Sequence, residues 1–294
     1  MHKSLHGIGS IFLMLVALSV FLFATTASFA RNVGVPTGFV YDPHSFGLHG
    51  GVHALPRTSD LLPANTLPHT NVVSSSNWAG FYAGTGSGSG FKQVVGNWYT
   101  PCTSGRVDRN HLDAQWVGIG GIYGSQRLLQ VGTALLTDGR FHLFYELFPN
   151  PPIISNQSFS CANAFTAEVD YNFYSKGINK NHISIKNLST GFTLERTIAD
   201  SKFQPDMQSA EWIDERPSCS SGLTDLANFH YVGWTNTLAR GNTNSANLAG
   251  IRSFVNNAIV MQDKNQHVLA KPDGLNVNNT FKDRWYNAGS DGSC

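Results

Sequence analysis

From Asn71 to the C-terminus, hydrophobic positions recur at the spacing of strands rather than helices. Phe165, Ala167, Val169, Tyr171 and Phe173 alternate with polar residues, the period-2 pattern of a half-buried strand. His182-Ile183-Ser184-Ile185-Lys186 alternates too. Asn187-Leu188-Ser189-Thr190-Gly191 then turns the chain and Phe192-Thr193-Leu194 returns it, which predicts a hairpin with Gly191 at a positive-φ position. Ala258–Met261 and His267–Ala270 flank the polar run Gln262–Gln266 and predict a second hairpin. Gly84–Gly90 is rich in Gly and Ser with no helix after it, so it reads as a hairpin loop and not a phosphate cradle. Long amphipathic helical patterns are missing, and Leu223–Phe229 predicts one short helix. Short strands separated by Gly, Asn and Ser turns indicate an all-β sandwich or barrel, and no 20- to 50-residue repeat points to a propeller or solenoid.

The N-terminal region follows different rules. Lys3, an apolar run from Ile11 to Phe23 and the small residues of Ala27-Ser28-Phe29-Ala30 make residues 1–30 a secretory signal peptide, its core too short for a comfortable membrane span. Residues 31–70 carry Pro, Gly and His without apolar periodicity and read as a pro-segment or an irregular N-terminal arm. His44, His49 and His53 lie there at loop spacing and read as solvated side chains. Residues 71–294 then form one β domain, expected to be secreted, extracellular, monomeric and free of the membrane once the signal is removed. Cys102, Cys161, Cys219 and Cys294 suggest two disulfides in any of three pairings, and their spacing lacks the C-x-x-C pairs of a zinc site.

Charged residues make up 13% of the chain, against about 25% in ordinary soluble domains. Ser, Thr, Asn and Gly supply the polar surface instead, which limits self-repulsion in acid. A net charge of +1 with no basic cluster argues against a nucleic-acid partner.

The usual hydrolase signatures are absent: no H-E-x-x-H, no G-x-S-x-G, no Asp-Thr-Gly or Asp-Ser-Gly. Instead, dense aromatic-polar motifs occur in a fixed order. They are Ser76-Asn77-Trp78-Ala79-Gly80, Gln115-Trp116-Val117-Gly118-Ile119-Gly120-Gly121, Leu128-Leu129-Gln130-Val131-Gly132, Tyr145-Glu146-Leu147-Phe148-Pro149 and Ala210-Glu211-Trp212-Ile213-Asp214-Glu215-Arg216-Pro217. With Trp116 and Gln130 fourteen apart, and the Asn187–Gly191 turn between the last two, this set resembles the eqolisins, or glutamic peptidases. The resemblance is close over Asn77–Pro217 and loose in the C-terminal third. It implies an antiparallel β-sandwich of two large curved sheets with lectin-like jelly-roll architecture. It also implies that Gln130 and Glu215 are the catalytic residues of an acid endopeptidase acting on polypeptides, without metal or other cofactor and insensitive to pepstatin. Two positions depart from fungal members, which carry Asp where this chain has Gly120 and His142; the cysteine positions differ as well.

The chemistry suits such a pair. A carboxylate takes a proton from water and returns it to the leaving amine, while an amide holds the water with one end and donates to the developing oxyanion with the other. A Glu has a reference pKa of about 4.3, so the pair works in acid where a His-based triad is protonated. Trp78, Trp116, Tyr145, Glu146 and Glu211 are supporting candidates. The Trp residues either floor a substrate groove or fill the core. Glu146 either hydrogen-bonds Gln130 or ends a strand. Glu211 is the rival to Glu215, an even number of residues away and so on the same strand face. Gln130 and Glu215 are expected on neighbouring strands. A carbohydrate-binding or glycoside-hydrolysing sandwich is the competing class, with surface Trp residues and a Glu146/Glu215 pair, but such an enzyme has no use for Gln130. Asn156, Asn187 and Asn278 begin glycosylation sequons.

Overall fold

The computed structural model describes residues 39–40, 52–53, 71–84, 90–105, 107–108, 110–122, 127–175, 178–199, 203–219, 221–241 and 247–294. The expected signal peptide, and all of the 31–70 stretch except four residues, lie outside this set. Among the described residues the strands are β1 (Phe39–Val40), β2 (Val52–His53), β3 (Asn71–Ser75), β4 (Trp78–Gly84), β5 (Phe91–Tyr99), β6 (His111–Gly120), β7 (Leu128–Leu135), β8 (Phe141–Phe148), β9 (Ile153–Phe159), β10 (Ala164–Ser175), β11 (Ile178–Asn187), β12 (Thr193–Ile198), β13 (Ser209–Glu215), β14 (Ser218–Cys219), β15 (Gly222–Leu223), β16 (Asp225–Leu226), β17 (Tyr231–Gly241), β18 (Ala249–Gly250), β19 (Val255–Gln262), β20 (Val268–Pro272) and β21 (Phe281–Trp285). The helical element among them is a single 3₁₀ turn, Ile251–Ser253.

Two sheets form the sandwich. The first runs β1-β9-β8-β7-β6-β13-β4-β19-β3-β2. The second runs β12-β11-β10-β5-β17. The first half of β17 leaves β5 to pair with β21, and β21, β20 and β19 continue the ladder back into the first sheet. The alternating segment at 165–173 is β10, the first expected hairpin is β11/β12 and the second is β19/β20. One expectation fails. Leu223–Phe229 holds the end of β15 and all of β16 and no helix, because β16 pairs with His111 and Leu112 at the start of β6. Most of the hairpin loop expected at Gly84–Gly90 lies outside the described residues; the strands that flank it, β4 and β5, belong to different sheets.

Strands β4, β7 and β13 are buried along their entire length. One face of the first sheet packs Phe81, Val117, Val131, Tyr145 and Trp212 against Trp98, Phe165, Ile183 and Trp234 from the second. The opposite face of the first sheet carries a separate cluster that includes Trp78, Tyr82, Trp116, Leu128, Phe144 and Ile213.

The inter-sheet layer also encloses a polar network. Trp98 Nε1 donates to Thr133 Oγ1 at 3.0 Å, Thr133 to Gln115 Oε1 at 3.1 Å, and Gln115 Nε2 to Asp113 Oδ2 at 2.5 Å. Trp234 Nε1 lies between Asp214 Oδ2 (3.3 Å) and Asp283 Oδ2 (3.1 Å). Asp113, Asp214 and Asp283 are fully buried, and each retains an oxygen without a hydrogen bond. Burial pushes all three carboxyls up, Asp214 to about 6. Like charge from Asp214 adds to the rise at Asp113 and at Asp283.

The four cysteines pair as Cys102–Cys161 and Cys219–Cys294. The second bridge holds the C-terminal residue beside the exit of β13. There Arg216, fully buried, donates to the Thr224 carbonyl and lies 2.7 Å from Asp291.

Candidate active site

Strand register brings the sequence candidates together in rows. Paired residues of adjacent strands point to the same face, so a row read across the sheet is a line of neighbouring side chains. One row is Tyr82–Glu211–Gly118–Gln130–Glu146, across β4, β13, β6, β7 and β8. Four residues along lies Trp78–Glu215–Ala114–Ala134–His142, and between them Gly80–Ile213–Trp116–Gly132–Phe144. All three rows lie on the face turned away from the second sheet. Gln130 and Glu215 therefore share a face but not neighbouring strands: β6 separates β7 from β13. Tyr145 is on the other face, because its offset from Glu146 is odd; it packs in the inter-sheet core and is not part of the site.

Glu215 is fully buried and held by two donors. Trp116 Nε1 donates to Oε2 at 2.7 Å, and Asn77 Nδ2 donates to Oε1 at 3.2 Å. Asn77 is itself oriented by Ser75, whose hydroxyl donates to Asn77 Oδ1 at 3.2 Å and accepts from the Trp78 amide at 3.1 Å. Trp78 and Trp116 meet edge to face at 5.0 Å. Burial raises the Glu215 pKa well above the ordinary carboxylate range, and the charge of Glu146 raises it further; the hydrogen bonds from Trp116 and Asn77 oppose that rise.

Gln130 Nε2 donates to Glu146 Oε2 at 2.6 Å, which fixes the plane of the amide and its O/N orientation. Glu146 thus touches Gln130 directly and acts on Glu215 through its charge, linking the two rows. Trp116 lies in the row between them. A β-carbon at Gly118 would sit 2.8 Å from Trp116 Cζ3 and 2.9 Å from Leu128 Cδ1, so glycine there lets the indole lie over the strand.

The two departures from the eqolisin pattern have local causes. Gly120 has φ +93°, and a β-carbon would lie 2.5 Å from the carbonyl oxygens of Arg127 and Asp206, so the path of these segments leaves no room for Asp. His142 is tied down by the Ser155 carbonyl at 3.0 Å and Asp138 at 2.8 Å. Sequence reasoning did not single out Ser75 or Asn77 as site candidates. Asn77 stands inside the first aromatic motif, but nothing local in the sequence says that its amide reaches a carboxylate 138 residues away. Among the described residues no group of three or more His, Cys, Asp or Glu is placed to hold a metal ion, and no helix is long and apolar enough to cross a membrane.

One face of the β-sandwich thus carries a buried Glu held by Trp and Asn, together with a Gln anchored by a second Glu. The Peptidase A4 family profile matches residues 76–278, and the chain belongs to that family. Its fold is that of scytalido-glutamic peptidase, solved with a transition-state analog inhibitor: TM-score 0.59 at 20% identity, covering 72% of this chain and 98% of that one. SCP-B, an eqolisin family member solved with the tripeptide Ala-Ile-His, gives TM-score 0.55 at 20% identity and the same coverage. Aspergilloglutamic peptidase from Aspergillus niger gives TM-score 0.50 at 21% identity, covering 60% of this chain and 99% of that one. No curated protein sequence matches the chain.

Proposed function

We propose that the chain is a secreted acid endopeptidase in which Glu215 and Gln130 activate water against a peptide bond, without a covalent intermediate. The observation that carries this reading is the setting of Glu215: a fully buried carboxyl gripped by two neutral donors, with no cation in contact among the described residues, on the same face as an amide whose orientation is set. Ionised Glu215 takes a proton from the attacking water; protonated, it delivers that proton to the leaving nitrogen. A raised pKa makes ionised Glu215 a stronger base toward the water than an exposed Glu, and keeps the carboxyl protonated for the leaving nitrogen at a higher pH. Gln130, held by Glu146 through its amide nitrogen, supplies the amide that positions the water and stabilises the developing oxyanion. Trp78 and Trp116 wall the carboxylate, and water exclusion there strengthens each of these hydrogen bonds.

Residues 31–70 act as a pro-segment in this reading. Gln130, Glu146 and Glu215 are buried in the full chain, and the short strands β1 and β2 of that stretch pair with β9 and β3 of the sheet that carries them. Signal residues 1–30 direct export, in keeping with the two disulfides.

The test is a digest of denatured protein at pH 3–5 beside a panel of polysaccharides, with pepstatin and with EDTA. Peptide release is expected with either reagent present. Glu215→Gln and Gln130→Ala are each expected to lose at least about 100-fold in rate. Polysaccharide cleavage, or activity lost in EDTA and restored by zinc, would overturn the reading.

A further inference from the structure

One carboxyl on the site face has no role so far. Glu211 lies on β13, four residues before Glu215, in the row of Gln130 with Gly118 between them. It is fully buried, and neither of its oxygens has a hydrogen-bond partner. Burial raises its pKa well above the ordinary range; the Ser209 hydroxyl and the Gly120 amide oppose that rise without reaching hydrogen-bond geometry, and the charge of Asp206, of the same sign, adds to it. A buried carboxyl without a partner is costly, and an apolar residue would satisfy the packing of a strand that is buried throughout. Its place in the row is therefore informative. Because Gly118 has no side chain, Glu211 and Gln130 face each other across one strand, at roughly 9.5 Å, twice the strand spacing. The indole of Trp116 and the side chain of Leu128 fill the floor of that gap.

We propose that Glu211 is a substrate-binding residue of this site: a neutral carboxyl that pairs with the main chain of an extended peptide lying between it and Gln130. The pairing is chemical. A protonated carboxyl offers one O–H donor and one carbonyl acceptor side by side. A residue in extended conformation turns its own N–H and C=O to the same side. Each orphaned oxygen of Glu211 then gains a partner when substrate binds. No proton leaves Glu211 during the reaction, which separates its role from that of Glu215.

This inference rests on the peptidase reading and deepens it. An amide has the same donor and acceptor side by side, so Glu211→Gln preserves the pairing and Glu211→Leu removes it. For a peptide of at least six residues at pH 4, Glu211→Leu is expected to raise KM about 10- to 100-fold with kcat within a factor of about three, the range set by losing one or two hydrogen bonds. Glu211→Gln is expected to restore KM to within about threefold of wild type. It should also keep that KM at the higher pH where wild-type KM climbs, because an amide does not ionise. If Glu211→Gln is as dead as Glu215→Gln in an active wild-type background, Glu211 transfers protons and the inference fails alone. An unchanged KM in Glu211→Leu also refutes it. Should the Leu variant not fold, the pH dependence of KM in Glu211→Gln decides, and a profile identical to wild type refutes. An inactive wild type overturns the peptidase reading and this inference together.

Discussion

The buried aspartates between the sheets make stability fall as pH rises. Asp214 is fully buried, and its pKa is raised from 3.8 to about 6. A carboxyl whose folded pKa is raised favours the folded state only while protonated. Its contribution is full below the unfolded pKa, declines between the two values, and is lost above the folded one. A gap of about two pH units at about 1.4 kcal/mol each gives roughly 3 kcal/mol lost between pH 4 and pH 6. Burial and the charge of Asp214 both raise the Asp283 carboxyl as well, which acts in the same direction. The discriminating perturbation is Asp214→Asn, which keeps an acceptor for Trp234 Nε1 and cannot ionise. Thermal melts at pH 4 and pH 7 are the assay. Asp113, Asp283, Glu211 and Glu215 shift in the same direction, so wild type loses more than Asp214 alone explains; the difference between the two proteins reads Asp214 together with the rise its charge adds at Asp113 and Asp283. At roughly 2–4 °C per kcal/mol for a domain of this size, the drop in Tm from pH 4 to pH 7 should be about 6–12 °C smaller in the variant. Equal drops in the two proteins would refute the assignment of an unpaired buried charge at Asp214.

Glu146→Leu frees the amide of Gln130 and removes the charge that raises Glu215. It is expected to lower kcat by about 10- to 100-fold and to move the acidic limb of the pH–rate profile downward; a profile unmoved on the pH axis would show that Glu146 does not act on Glu215. The Cys219–Cys294 bridge spans 75 residues and is expected to contribute on the order of 4 kcal/mol, so Cys219→Ser/Cys294→Ser should melt well below wild type, with little change if the C-terminal segment is held by Arg216–Asp291 alone. Cleavage N-terminal to Asn71 should raise activity relative to the full chain, followed by mass and peptide release together; a full-length chain as active as the shortened one would show that residues 31–70 do not cover the site.

Local pattern was enough for the half-buried strands. In β10 and β11 one side faces the inter-sheet core, so apolar and polar residues alternate and the hairpin is visible through its Asn-Leu-Ser-Thr-Gly turn. The strands that carry the site are buried on both sides, which erases alternation; β4, β6, β7 and β13 were legible only through their aromatic motifs. Leu223–Phe229 misled for a related reason: a short apolar run carries no period of its own, and its structure was set by a parallel partner more than a hundred residues earlier. Gln130, Glu146, Glu211 and Glu215 could each be named from the sequence. Their geometry could not. Periodicity placed Glu211 and Glu215 on one face without distinguishing them, and register decided that Glu211 stands in line with Gln130 while Glu215 lies one row beyond Trp116. Tertiary structure likewise chose among the three disulfide pairings and brought Asn77 to Glu215. It also enclosed Asp113, Asp214 and Asp283 in one buried layer. The alternation of side chains along a strand is a property of consecutive residues, whereas register, pairing and burial are settled by strands distant in sequence competing for the same edges and the same core.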